Sequence, residues 1–279
     1  MIGFIDGGGG MRGVYTAGVY DYMLDRGIKI DYGIGVSAGA ANMITFLAGQ
    51  RGRTFKFYAE YSFRKEYMSL ANWLKHRNYL DLDYIYSTLT NRGGEYPLDY
   101  EAFSKNTTPF LVTATDAQTG ATKYFTKKDV AQDRYDILKA SCAIPLACKP
   151  YPVGGRLYFD GGVALPMPYQ KALDDGCDKI VVLSTRARDY VKPKQKNLWM
   201  MKRALKKFPV VFGQIERRHE VYNRSMSEIL RLEKQGKALL VAPSDSCGVD
   251  TLTRDKDAFM RLYQKGYEDG ATVEKFIQK

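Results

Sequence analysis

Short runs of consecutive apolar residues recur along the chain, each bounded by glycine, proline or an acid. Ile2 to Ile5 ends in Asp6, Ile28 to Gly35 leads into a serine, and Pro109 to Thr115 and Lys179 to Thr185 follow later. Runs this short without polar alternation read as strands buried on both faces, as in a parallel sheet. Leu157-Tyr158-Phe159 and Ala238 to Ala242 are shorter strands, and Thr122 to Thr126 pairs with the Pro109 run after the Gln118-Thr119-Gly120 turn. Between them the apolar positions space out to a helical period. Val14 to Arg26 is an amphipathic helix closed by Gly27, and Pro168 to Asp175 is another. The same spacing predicts helix over Asp129 to Ala143, stopped by Pro145, over Gln214 to Gln235, and from Asp255 onward. Arg51 to Lys105, rich in tyrosine, phenylalanine and charge, reads as mainly helical with irregular connections and could cover the mouth of a site.

The first fifty residues are therefore strand, helix, strand, helix, the pattern of a parallel sheet with helices packed against it. No internal repeat or low-complexity tract interrupts it, and a single domain over residues 1–279 is the expectation.

Composition adds modest constraints. With 45% hydrophobic and 26% charged residues among 279, the chain can bury a sizeable core. The stretch between Asp31 and Arg51 carries no formal charge and could span a bilayer by length. Its four glycines with Ser37, Asn42 and Thr45 fit a buried strand-turn-helix better. Cys142, Cys148, Cys177 and Cys247 form no C-x-x-C pair, and with two histidines a zinc site is not expected. Reduced thiols and an N-terminus without a basic lead or long apolar stretch imply a cytoplasmic protein with no signal peptide. A net charge of +11 implies an anionic partner, either nucleic acid or an anionic lipid surface. No nucleic-acid-binding motif is present, so nucleic acid is not the expected partner.

Gly35-Val36-Ser37-Ala38-Gly39 fits G-x-S-x-G, a sharp strand-to-helix turn that lifts one hydroxyl out of the sheet edge. Upstream, Gly8-x-Gly10-x-x-Gly13 follows a strand and precedes a helix. Two readings stand. It matches a dinucleotide-binding loop, with Asp31 near the place of a ribose-binding acid, and so allows a Rossmann-like oxidoreductase. Equally, bare glycine amides can converge on the oxyanion of a tetrahedral intermediate. A hydrolase requires a nucleophile and a base beside the loop. His76 and His219 both lie in charged, solvated-looking stretches, Lys75-His76-Arg77 and Glu216-Arg217-Arg218-His219-Glu220, so neither is a strong candidate base. Asp160, ending an apolar strand before Gly161-Gly162, is the carboxylate candidate, since burial would raise its pKa toward the working pH.

Gly8-Gly9-Gly10-Met11-Arg12-Gly13, the Ser37 pentapeptide, Ala140-Ser141-Cys142-Ala143-Ile144-Pro145 and Asp160-Gly161-Gly162, in this order, resemble the patatin-like phospholipases. The motifs lie within residues 1–185. The resemblance implies a three-layer α/β/α sandwich with a mainly parallel central sheet and a Ser-Asp dyad without histidine. It implies Ser37 as nucleophile, Asp160 as base, and the amides of Gly8, Gly9 and Gly10 as oxyanion hole. Arg12 and Gly13 would support the loop, Gly35, Gly39, Gly161 and Gly162 would shape the elbow and turn, and neither metal nor other cofactor is needed.

Residues 186–279 are more basic and mainly helical. From Arg186 to Lys207 nine lysines or arginines face one acid, Asp189. In Asn197 to Phe212, Trp199, Met201, Leu205 and Phe208 approximate a helical stripe with cations beside it. Such a helix packs on a core or docks peripherally on an anionic membrane. The expected substrate is a lipid or acyl ester. The alternatives are the dinucleotide-dependent enzyme and a catalytically silent lipid-binding module.

Overall fold

The computed structural model describes residues 1–278. Strands β1 (Ile2–Asp6), β2 (Tyr32–Val36), β3 (Phe110–Asp116), β4 (Thr122–Thr126), β5 (Tyr151–Val153), β6 (Arg156–Asp160), β7 (Lys179–Leu183) and β8 (Ala238–Val241) form one sheet. Its order is β5-β6-β3-β2-β1-β7-β8, with β4 also paired to β3. The run β3-β2-β1-β7-β8 is parallel, and β4, β5 and β6 are antiparallel additions.

Alternation along the strands divides the core in two. Phe4, Val112, Val181 and Leu183 face one side, against α1 (Val14–Asp25), α2 (Ala38–Leu47) and α10 (Lys256–Ile277). Ile5, Ile34, Ile180, Val182 and Leu240 face the other, against α7 (Tyr169–Asp174) and α9 (Pro209–Lys234). The result is the expected three-layer α/β/α sandwich, because a sheet apolar on both faces must be covered on both. The remaining helices are short: α3 (Arg53–Ala59), α4 (Leu70–His76), α5 (Tyr100–Lys105), α6 (Asp136–Ser141) and α8 (Leu198–Ala204).

Helices α1 and α10 cross without intervening side chains. A Cβ on Gly18 would lie 2.1 Å from the Tyr263 carbonyl oxygen, and one on Gly266 would lie 1.9 Å from that of Tyr15. Gly18→Val is therefore expected to cost about 3 kcal/mol through forced separation of the two backbones. Denaturant unfolding monitored by circular dichroism would measure it.

Three sequence expectations need correction. The helix expected over Asp129 to Ala143 is only α6; Asp133 adopts a positive φ of 59° and Ala131 bridges back to Arg134, so a tight turn takes the first half. The stripe from Asn197 to Phe212 is broken. Helix α8 ends at Ala204 and α9 starts at Pro209, whose missing N–H suits a first helical turn. Consequently Leu205, Met201 and Phe208 pack with Phe159, Val211 and Ile215, while Trp199 is 70% exposed. The stretch Glu216 to Glu220 is not solvated throughout, since Arg218 points inward.

Candidate active site

Strand β2 delivers Ser37 to the site. It ends at Val36, Ser37 takes φ 55° and ψ −129°, and α2 begins at the next residue. A non-glycine residue holds such a conformation only where its surroundings enforce it. Here the enforcing contacts are tight. A Cβ on Gly35 would lie 2.3 Å from Ala40 Cα, and one on Gly39 would lie 2.5 Å from the Asp6 main-chain oxygen. Ser141, fully buried in α6, accepts a 2.8 Å hydrogen bond from the Ser37 amide.

The register brings Asp160 to the same place. Val112 of β3 pairs with Gly35 of β2 on one edge and with Phe125 of β4 on the other. Further along, Ala114 pairs with Lys123 of β4 and with Asp160 of β6. Strands β2 and β6 thus share one edge of β3 and abut end to end, Val36 opposite Thr113 and Asp160 opposite Ala114. Their C-terminal ends converge, and Ser37 and Asp160 meet at the junction. The segment Ala140 to Pro145 clamps both, through Ser141 on the Ser37 amide and the Ala143 carbonyl, which accepts from the Asp160 amide at 2.9 Å.

Asp160 is buried, and desolvation raises its pKa above the usual value of 3.8. The charge of Arg218, the Ser37 hydroxyl and the Gly162 amide, which donates to Asp160 Oδ1 at 2.8 Å, oppose that rise. The Ser37 hydroxyl is close enough to the carboxylate to favour its ionised form.

Arg218, on α9, is the residue that sequence reading missed. A Cβ on Gly162 would stand 3.1 Å from Arg218 Nη2 and 3.1 Å from Asp160 Oδ1, so the two atoms are separated by at most twice that distance. Any side chain at position 162 would crowd both atoms. The signal was present: Val211, Ile215, Arg218, Tyr222, Met226 and Ile229 keep a helical period, and all but the arginine are apolar or aromatic core residues.

The glycine loop lies against the elbow. The Gly8 amide donates to Asp6 Oδ1 at 2.9 Å, and its carbonyl accepts from Thr185 Oγ1 at 2.7 Å. The Gly8 amide thus faces a buried carboxylate, a contact that anchors the loop. The amides of Gly9 and Gly10 carry no comparable bond among the described residues. Asp6 is fully buried, which pushes its pKa up to about 6. Arg12 is buried, pairs with Asp250 and reaches Thr251 Oγ1 at 3.0 Å, tying the loop to the chain before α10. Gly13 accepts from Asn42 Nδ2 at 2.8 Å through its carbonyl. Gly161 packs against Thr113.

An apolar cleft opens beside Ser37, lined by Met11, Ile44, Phe57, Leu82, Ile85 and Ile144 among others. Arg53 also lines it, buried, without a carboxylate partner among the described residues, and bonded to Thr45, Thr90 and the Tyr96 carbonyl. Among the described residues, no three His, Cys, Asp or Glu side chains stand together as metal ligands would.

Removing the Ser141 hydroxyl should leave the buried Ser37 amide unpaired, which costs about 1–3 kcal/mol. Ser141→Ala is expected to lower kcat/KM about tenfold or more on an ester substrate with the fold retained, measured by initial rates and circular dichroism.

Comparison with known proteins bears on this geometry. A family model described as patatin-like phospholipase matches residues 7–173, more than half of the chain. A second, described only as a domain of unknown function, matches residues 208–278. The uncharacterized protein YjjU of Escherichia coli (strain K12) is 29% identical over 183 residues, 64% of this chain and 50% of YjjU. The match thus spans about half the length of that relative. The crystal structure of VipD from Legionella pneumophila aligns with 98% of this chain and 66% of its own, with a TM-score of 0.56 at 11% identity, a likeness of fold.

Proposed function

The chain belongs to the patatin-like phospholipase family, whose members are lipid acyl hydrolases, and from its site we propose that it is a serine acyl-ester hydrolase with Ser37 as nucleophile and Asp160 as base. The observation that carries this reading is the end-to-end junction of β2 and β6, which presents one strained serine to one buried carboxylate. Asp160 accepts the Ser37 proton as Oγ attacks the ester carbonyl. The amides of Gly9 and Gly10, together with the N-terminus of α2, stabilise the oxyanion. The proton passes to the departing alcohol, and water, activated by Asp160, then hydrolyses the acyl-enzyme. The apolar cleft receives the acyl chain.

The dinucleotide reading has less support. Asp31 accepts a hydrogen bond from the Ile2 amide at 2.8 Å, and the loop enters a short 3-10 turn, Gly10–Gly13, packed under the elbow. A silent binding module would have no use for the strain at Ser37. We propose a single domain, because β8 completes the sheet and α10 packs on α1. Peripheral contact with an anionic membrane belongs to the same proposal. Leu70 (72% exposed), Leu74 (71%) and Trp199 (70%) project beside Lys75, Lys202 and Arg203. Among the described residues no helix is long and apolar enough to cross a membrane. The test is release of free fatty acid from phospholipid micelles and from short acyl esters by the purified chain; no release from either would reject the proposal.

A further inference from the structure

A group of cations that takes no part in the apolar cleft stands against the glycine loop. Arg12 and Arg186 both reach Asp250 Oδ1, the latter over 3.2 Å. The Arg186 guanidinium lies 4.7 Å from the centre of the Tyr190 ring, and that ring meets Tyr222 edge-on at 5.9 Å. The Lys192 ammonium lies 5.7 Å from the centre of the Tyr222 ring. Asn223 fixes the Lys192 main chain by reciprocal bonds of 2.8 and 3.0 Å. Arg218 stands one helical turn before Tyr222 and borders Asp160. Two tyrosine rings thus lie among cations that lead to the dyad.

The charges do not balance. Among the described residues Asp250 is the one carboxylate within ion-pair distance of any of the four; Asp160 faces Arg218 at longer range, and Lys192 has no ion-pair partner. The Nε atoms of Arg12 and Arg218 are buried without a hydrogen-bond partner among the described residues. Burial, followed by the charges of Arg218, Arg186 and Arg12, pushes Lys192 down to about 8. Like charges gathered at a half-buried site repel one another until an anion joins them.

We propose that Arg186, Lys192 and Arg218, together with Arg12, seat the phosphate of a net-anionic phospholipid while its acyl chain occupies the apolar cleft. The inference rests on the acyl hydrolase reading and narrows it to one substrate class. Fork-shaped guanidiniums suit a phosphate, and a choline headgroup would bring a further cation into a site already crowded with them. Arg186, Lys192 and Arg218 lie outside the patatin-matched residues, and Arg218 lies in the region of unknown function. That region would then complete the substrate site.

Wild-type protein, K192Q and R186Q are compared on phosphatidylglycerol and on phosphatidylcholine in identical mixed micelles, with p-nitrophenyl butyrate as the neutral ester. The wild type is expected to prefer phosphatidylglycerol by about tenfold or more in kcat/KM, and each substitution to reduce that preference about tenfold. Calorimetric titration with glycerol 3-phosphate and with inorganic phosphate provides a readout independent of turnover. Glycerol 3-phosphate that binds the wild type and not K192Q supports the seat. Inorganic phosphate binding equally tightly, and equally lost in K192Q, would assign the cluster to free phosphate and overturn the lipid assignment. A wild type that hydrolyses p-nitrophenyl butyrate but treats both phospholipids alike overturns the seat and leaves the hydrolase reading intact. No turnover of any ester, with glycerol 3-phosphate still bound, would reject the hydrolase reading and keep the seat.

Discussion

Replacing Ser37 with alanine is expected to lower ester hydrolysis by about 10³-fold or more and to abolish labelling by a fluorophosphonate probe. Ser37 lines the cleft, at the N-terminus of α2 and beside a buried carboxylate. Alanine is smaller and keeps the Cβ, so the elbow should form as before, and circular dichroism should match the wild type. Labelling that persists in Ser37→Ala would move the nucleophile elsewhere in the chain.

The second large effect is at Asp160. Asp160→Asn keeps the shape and cannot take a proton, so a loss of about 10² to 10⁴ in kcat is expected. The pH profile tests the environment as well as the residue. A base works only when unprotonated, and burial raises this pKa above the ordinary aspartate value. Activity should therefore fall as pH drops through that raised value, with an acid limb above that of an unburied aspartate. Arg218 opposes the rise, because its charge favours the ionised carboxylate. Arg218→Gln should move the limb to higher pH, and Arg218→Lys should restore most of the wild-type position. An unchanged limb in Arg218→Gln would separate the arginine from the base. His219→Ala and His76→Ala should leave turnover near wild type. The His219 ring faces the Glu216 carbonyl of its own helix at 3.1 Å and the Glu220 carboxylate at 3.7 Å.

Much of the site is legible along the chain because its demands are local. A strand that must turn within one residue into a helix needs space at positions 35 and 39, and only glycine leaves it; Ala40 and Asp6 occupy what a side chain would need. Asp160 is readable for a similar reason, as the acid that ends an apolar strand before two glycines. Ser141 sits inside a motif that was recognisable, yet its hydrogen bond to the Ser37 amide spans 104 residues and leaves no local trace. The commitment of the Gly8 amide to Asp6 was equally hidden, since G-x-G-x-x-G spacing does not say where each N–H points. The helix expected from Asp129 failed because apolar spacing reports burial, and a turn at Asp133 can bury the same residues.

Taken alone, the order of residues determined that strands and helices alternate, that a serine and an aspartate sit at sharp glycine turns, and that the later part is basic. Those properties follow from steric limits and periodicity acting over a few residues. Only the folded chain decided that β2 and β6 abut along β3, that one glycine amide is spent on Asp6, and that an arginine from α9 stands beside the carboxylate. Each of these depends on which distant segments share a strand edge or a buried face. Proximity of that kind is set by packing of the whole sheet, on which no short stretch of sequence has a vote.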